Sequence, residues 1–152
     1  QRVEMVEFMR KNFGDRFRVY GANWAMNSNI VYPHVEVLVY NSAKVAITHN
    51  HFIRSGYQSD RCLRSMGCGI YTIAQYYPEI NKQFNPTVLD TWIDFNMLAE
   101  ETERALSNEE RRKTIADSGH EWVRENHSWQ NRINEIKLLI QKYESKSSAT
   151  IQ

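Results

Sequence analysis

Gly56-Tyr57-Gln58-Ser59-Asp60-Arg61-Cys62-Leu63-Arg64-Ser65-Met66-Gly67-Cys68-Gly69-Ile70-Tyr71 reads as loop, short helix, glycine stop and buried strand within sixteen residues. Ser59 stands where a helix N-cap is expected, so the free backbone N–H groups of the first turn face the preceding loop, where an anion can sit. Arg61 and Arg64 are three apart on one helix face. Such a like-charge pair costs a few tenths of a kcal/mol unless something negative lies beside it. Two readings of these residues stand side by side: an anion site, or an ordinary surface helix with solvated arginines.

Outward from this stretch, strands alternate with helices. Lys44 to Thr48 predicts a short apolar strand before the loop His49 to Gln58, and Ile70 to Ile73 predicts another after the helix. Upstream, Val3, Val6, Phe8, Met9 and Phe13 recur at helical spacing, Arg16 to Tyr20 reads as a β-favouring run closed by Gly21, and Ala22 to Tyr32 as a polar loop carrying Trp24. Pro33 suits the first turn of a helix whose inner stripe is Val35, Leu38, Val39 and Ala43. Downstream, Gln75 to Pro86 reads mostly as loop and Val88 to Trp92 as an edge strand. Three helices follow, capped by Asp94, Asn108 and Ser128. The last carries a stripe of Ile133, Ile136, Ile140 and Tyr143, and Trp122 and Trp129 are expected in the core. Residues 1–143 are read as one domain and residues 144–152 as a polar tail that frays.

This order predicts an α/β fold: a Rossmann-like, doubly wound parallel sheet with C-terminal helices. Ligands in such sheets bind outside the carboxyl ends of the strands. The loops expected there are Gly21 to Asn29, His49 to Gln58 and Ala74 to Asn81.

At 152 residues with 41% apolar and 12% aromatic content, the chain suits one domain with an ordinary core. A formal charge of +1 excludes a surface built to coat nucleic acid or seek anionic membrane. Locally the balance differs: from His49 to Met66, Arg54, Arg61, Arg64 and two histidines face the single acid Asp60. That island suits a small anionic ligand. Cys62 and Cys68 are too few for a disulfide framework or a zinc site and read as core-filling thiols of a reducing compartment. No eighteen-residue apolar run and no charged-then-apolar leader is present in the sequence, and the expectation is a cytoplasmic protein without a membrane span. There is no GxGxxG, no GxxxxGK[ST] and no GxSxG, which argues against dinucleotide, P-loop and serine-hydrolase sites. A phospho-acceptor pocket of the flavodoxin-like signalling kind would need strand-end acids that Asp15, Asp60 and Asp90 do not assemble.

The ordered set Tyr20-Gly21-Ala22-Asn23-Trp24, Tyr40 to His49, Ser59-Asp60-Arg61, Gly67-Cys68-Gly69 and Glu109 to Trp129 resembles the C-terminal half of group-one glycosyltransferases of GT-B fold, nearest to the spore-maturation type. The resemblance covers almost the whole chain. It implies a domain that binds a nucleotide-diphosphate sugar and passes the glycosyl group to an acceptor hydroxyl, facing an acceptor domain that precedes it in the same or another chain. The strand and glycine-rich turn that begin the family domain, and the acceptor domain itself, are not among these residues. The diphosphate is implied to lie at the helix that starts at Ser59, with Arg61 as the catalytic residue, and to need neither metal nor separate cofactor. The donor-contacting residues that follow are Gly21, Trp24, His49, Asn50, His51, Gly56, Tyr57, Ser59, Arg61, Arg64, Tyr76 and Glu79, with Pro78 beside the last. Each has a plain alternative: loop capping for the histidines, packing for Trp24, Tyr76 and Tyr77, a turn acid for Glu79. One position departs from the family, because Arg64 stands where members commonly carry a glutamate that contacts the donor ribose. The competing reading is therefore a non-catalytic module that binds a nucleotide or sugar phosphate and serves as a partner platform.

Overall fold

The computed structural model describes residues 1–21 and 31–149; side chains are described for these except at Pro33 and residues 146–149. The chain opens with α1 (Arg2–Phe13), a 3-10 turn at Gly14–Arg16 and α2 (Pro33–Asn41). Strand β1 (Val45–Thr48), helix α3 (Asp60–Gly67), strand β2 (Tyr71–Gln75), the single turn α4 (Ile80–Gln83) and strand β3 (Asp90–Trp92) follow. Helices α5 (Phe95–Ser107), α6 (Glu109–Asn126) and α7 (Trp129–Ala149) complete it.

The three strands pair in parallel in the order β1-β2-β3. Val45 lies opposite Tyr71, Thr48 opposite Ala74, and Gln75 opposite Trp92. Parallel pairing obliges each connection to cross a face of the sheet, and both faces are covered. On one face Tyr71 and Ile73 of β2 pack with Met5, Met9 and Phe13 of α1 and Leu98 of α5. On the other, Ala74 joins Cys62 and Met66 of α3, Tyr77, Ile80 and Phe84, with Trp122 and Val123 of α6 against them. The period of two along β2 thus splits one strand between two cores, so all five of its residues are buried. The expected α/β, Rossmann-like fold is the fold observed.

Local chemistry explains the element ends. Asp94 Oδ1 accepts from the Met97 amide at 2.9 Å and Asn108 Oδ1 from the Arg111 amide at 2.9 Å, which are the caps the sequence promised. Ser128 and Asn131 cap α7 reciprocally: the Ser128 hydroxyl accepts from the Asn131 amide at 3.2 Å, and Asn131 Oδ1 from the Ser128 amide at 3.0 Å. Helix α3 stops in a Schellman arrangement. The Gly69 amide donates to Met66 O at 2.9 Å and the Ile70 amide to Ser65 O at 3.4 Å, with Gly69 at φ +73° where a side chain would be strained. At the amino ends of the strands, Arg111 donates to the Tyr71 hydroxyl at 2.7 Å and to Asp90 at 2.6 Å, while Tyr71 itself bonds Asp90, tying β2, β3 and α6 together.

Several expectations need correction. Arg16 to Tyr20 is not a strand: Gly14–Arg16 is a 3-10 turn, and the residues after it join no ladder, although Phe17 and Val19 still pack on the core. Burial was available there without a pairing partner. Leu38 is exposed, and so are Trp129 at 85% and Ile133, Ile136, Ile140 and Tyr143 along α7. A stripe at helical spacing fixes a helix but not what covers it, and no other described element covers this one. Helix α7 runs past Tyr143 to Ala149.

Gly119 sets how closely α6 lies on the sheet, since a Cβ there would stand 2.6 Å from the Val88 carbonyl oxygen. Gly119→Ala is expected to destabilise by about 1–3 kcal/mol, read from the urea midpoint. The equivalent change at Gly67, whose Cβ would meet only the Val123 side chain at 3.6 Å, should leave stability within about 1 kcal/mol of the parent.

Candidate functional site at the carboxyl edge of the sheet

Strands β1, β2 and β3 end at Thr48, Gln75 and Trp92, and the segments leaving them gather on one edge. The loop after β1 turns into α3 through Asn50, which is 2% exposed. Its amide donates to Gln75 Oε1 at 3.0 Å, its Oδ1 accepts from the Ser59 amide at 3.0 Å, and its Nδ2 reaches Gln58 Oε1 at 3.5 Å. Asn50 therefore spends its polar atoms within the protein, fastening the end of β1 to the start of α3.

Ser59 occupies the N-cap position with the extended backbone a cap requires, but its hydroxyl makes no cap bond. The hydroxyl instead accepts from Arg61 Nη1 at 3.2 Å. This corrects the side-chain cap expected from sequence. The Cys62 amide donates to the Ser59 carbonyl at 3.0 Å, no amide of the first turn is taken by the Ser59 side chain, and the Arg61 guanidinium is held back beside that turn. Arg61 is exposed and forms no ion pair among the described residues. Arg64 differs: it pairs with Glu36 of α2 at 2.6 Å and with Asp60 at 2.7 Å, and these two acids, outweighing its desolvation, raise its pKa. The arginines that looked alike in the sequence are thus one without an acid and one held between two.

The remaining expected residues fall as follows. The His49 ring lies tilted against Trp92 with centroids 5.8 Å apart, and both its ring nitrogens are buried without hydrogen-bond partners. Burial holds its pKa below the ordinary value; the Asn50 backbone pulls the other way, and the charges of Arg2, the amino terminus and His51 add to the lowering. His51 is exposed against Phe52, and Tyr57 meets Phe52 edge-on at 5.7 Å. Gly56, at φ +75°, makes the turn in which the Tyr57 amide donates to Arg54 O at 3.1 Å. Tyr76 is partly exposed just past β2, with its amide on Trp92 O at 2.8 Å. Glu79, next to exposed Pro78, sits in the left-handed region at φ 69° and bonds Ser55 and Lys82, which joins the loops after β1 and β2. A non-glycine residue in that region is uncommon and costs about 1 kcal/mol or more, so the clasp is held against local strain. Gly21 is at φ 123° and ends the first described segment; Trp24 lies outside the described residues.

Sequence reasoning missed two participants. Arg2, in the first turn of α1, has a buried Nη2 with no hydrogen-bond partner. Burial and then the positive charge of Arg61 lower its pKa, while Tyr57 opposes them. The signal was available: a helix that crosses a parallel sheet antiparallel to the strands starts on their carboxyl edge. Glu36, the partner of Arg64, lies on α2 and had no such signal. Cys62 is fully buried with its thiol pushed up to about 12 by burial, so it fills core and does not react. Among the described residues no group of three or more His, Cys, Asp or Glu side chains could hold a metal ion, and no helix is long and apolar enough to cross a membrane.

A parallel α/β sheet covered by helices on both faces defines a Rossmann-like domain. The family model described as glycosyl transferase-like matches residues 2–137, and the chain belongs to that family. The solved sucrose-phosphate synthase from Thermosynechococcus elongatus shares the fold at TM-score 0.69 and 18% identity, over 94% of this chain. The chain spans 34% of that protein's length. The likeness places this chain as a domain of GT-B type. No curated protein matches it.

His49 and His127 both have pKa values below the ordinary histidine value, His127 through burial and the Arg132 charge against an opposing Glu135. The unfolded chain, with histidines near about 6.5, then takes up protons before the folded one as pH falls. Stability should be fully present above about pH 6.5 and decline below it, down through the folded-state values. Urea midpoints taken at falling pH should show the decline, and His49→Phe should make it shallower.

Proposed function

We propose that this chain is the donor-binding half of a GT-B glycosyltransferase, holding a nucleotide-diphosphate sugar whose glycosyl group passes to an acceptor hydroxyl. The observation that carries the reading is the start of α3 at the carboxyl edge, with Arg61 beside it lacking any acid partner among the described residues. As the glycosyl bond breaks, the departing diphosphate gains negative charge. A helix N-terminus and a guanidinium fixed at that spot stabilise the transition state more than the ground state. Arg61 is the catalytic residue in this scheme, and the helix and arginine do the work without a metal. His49, Tyr57, Tyr76 and Glu79 border the donor, whereas Asn50 positions the loop from behind. A general base for the acceptor comes from a facing acceptor domain or from the substrate. The nearest branch is the spore-maturation type, on the ordered residue set, and the two free thiols support a reducing, cytoplasmic setting.

A second reading keeps the fold and drops the chemistry: a related module that binds a nucleotide or sugar phosphate and serves as a platform for partners. Arg64 favours it, because the position where the family commonly carries an acid holds a cation engaged with Glu36 and Asp60.

Calorimetric titration with UDP, GDP, ADP, CDP and dTDP is expected to find one that binds at millimolar levels or better. Arg61→Ala should weaken it about tenfold or more, the loss of a charge-assisted hydrogen bond. Binding by none of the five would sink the donor reading. Binding indifferent to Arg61 would place the diphosphate elsewhere. Donor hydrolysis by the full-length gene product separates the enzyme from the module.

A further inference from the structure

We infer that the elbow between α6 and α7 is a proton-operated latch: neutral His127 holds Arg132 and so fixes the direction in which α7 leaves the domain, and a proton on the imidazole releases the helix. None of the residues proposed to touch the donor takes part. Helix α7 takes its direction from this elbow, since every side chain from Ile133 to Ser145 is exposed. The His127 ring seats the elbow on the body of the domain. Its centroid lies 4.4 Å from the Trp122 ring and 6.5 Å from Phe84, and Phe84 is buried in the core under α6 with Trp122 at 5.0 Å. The first turn of α7 reaches back to α6 through Asn131, whose Nδ2 donates to the Glu125 carbonyl at 2.7 Å, and through Arg132, whose Nη2 meets His127 Nδ1.

A guanidinium carries donors only, so His127 Nδ1 accepts this bond and holds no proton; the imidazole is the neutral Nε2–H form. Arg132 and Glu135, joined to each other at 2.7 Å, are the charged groups that act on the ring from α7. From α6 and from the residue after α4 it meets the uncharged rings of Trp122 and Phe84, and Glu121 and Arg124 of α6 pair with one another at 3.5 Å. A proton on Nδ1 removes the acceptor and sets two cations against each other. The Trp122 face holds an imidazolium as readily as an imidazole. The ring therefore keeps its seat, and Arg132 leaves with the first turn of α7. Burial first, and then the Arg132 charge, hold the His127 pKa below the ordinary value against the pull of Glu135. The latch is thus closed above about pH 6.5 and opens as pH falls through the lower folded value.

The test is the distance between spin labels on α6 and α7, placed by Lys113→Cys and Gln141→Cys in a Cys68→Ser chain and read by pulsed electron–electron resonance. Spectra are taken at about pH 8 and at about pH 5, on either side of the ordinary histidine value. The parent should give one narrow distance at the higher pH and lose it at the lower. A control pair within the body, Glu100→Cys and Lys113→Cys, should not change. His127→Gln offers an amide oxygen to Arg132 and does not titrate, so it should keep the narrow distance at both pH values. Arg132→Met has no bond to lose and should lack the narrow distance at both. A parent distance that ignores pH overturns the inference, as does a pH response that survives in His127→Gln. So does a narrow distance in Arg132→Met at the higher pH. A control pair that broadens together with the α6–α7 pair would mean that the whole domain unfolds, which overturns it as well.

Discussion

The Asn50 side chain is the joint on which the working edge of this domain depends. One small amide, fully enclosed, takes the amide of Ser59 at 3.0 Å, while its own backbone N–H is given to Gln75 at 3.0 Å. The first bond sets where α3 begins, and the second ties β1 to the end of β2. A loop leaving a parallel strand has no ladder to satisfy its backbone, and burying it demands that side chains do so instead. With Asn50 in that role, the first turn of α3 is held at the sheet edge and the Arg61 guanidinium is carried with it.

Around that joint the charges are arranged unequally. Arg64 is compensated by Glu36 and Asp60, whereas Arg61 and Arg2 are not compensated by any described carboxylate. Such an arrangement does not favour the free protein. Like charges and unsatisfied donors are tolerated in a folded domain chiefly where a ligand supplies what is missing, and stability is then traded for binding. The left-handed Glu79, clasping Ser55 across the two loops, is a second strained element on the same edge.

Much of the fold was legible because its determinants are local. Asp94, Asn108 and Ser128 announce helix starts that cap chemistry then delivers, Gly69 announces a stop that only a positive φ allows, and the apolar runs at Val45 and Tyr71 announce strands. The site was less legible. Ser59 holds the cap position yet turns its hydroxyl to Arg61, and Asn50, read as a ligand contact, is spent on the protein interior. Arg16 to Tyr20 has strand composition without a strand partner, and the α7 stripe has core composition without a core. In each case pattern gives the tendency of a segment, and its partner lies elsewhere in the chain or outside the described residues.

The sequence by itself determined the alternation of strand and helix, hence a parallel sheet, and hence a positive loop and a helix start on the carboxyl edge. These follow from periodicity, capping residues and the handedness of crossovers, which need no knowledge of distant contacts. Only the tertiary structure decided which cations are free. Arg61 and Arg64 share a helix and differ because Glu36, twenty-eight residues earlier than Arg64, reaches one and not the other. Arg2, remote in sequence, arrives beside the same edge because α1 crosses the sheet to start there. Charge compensation is a property of neighbours in space, and the chain order does not contain it.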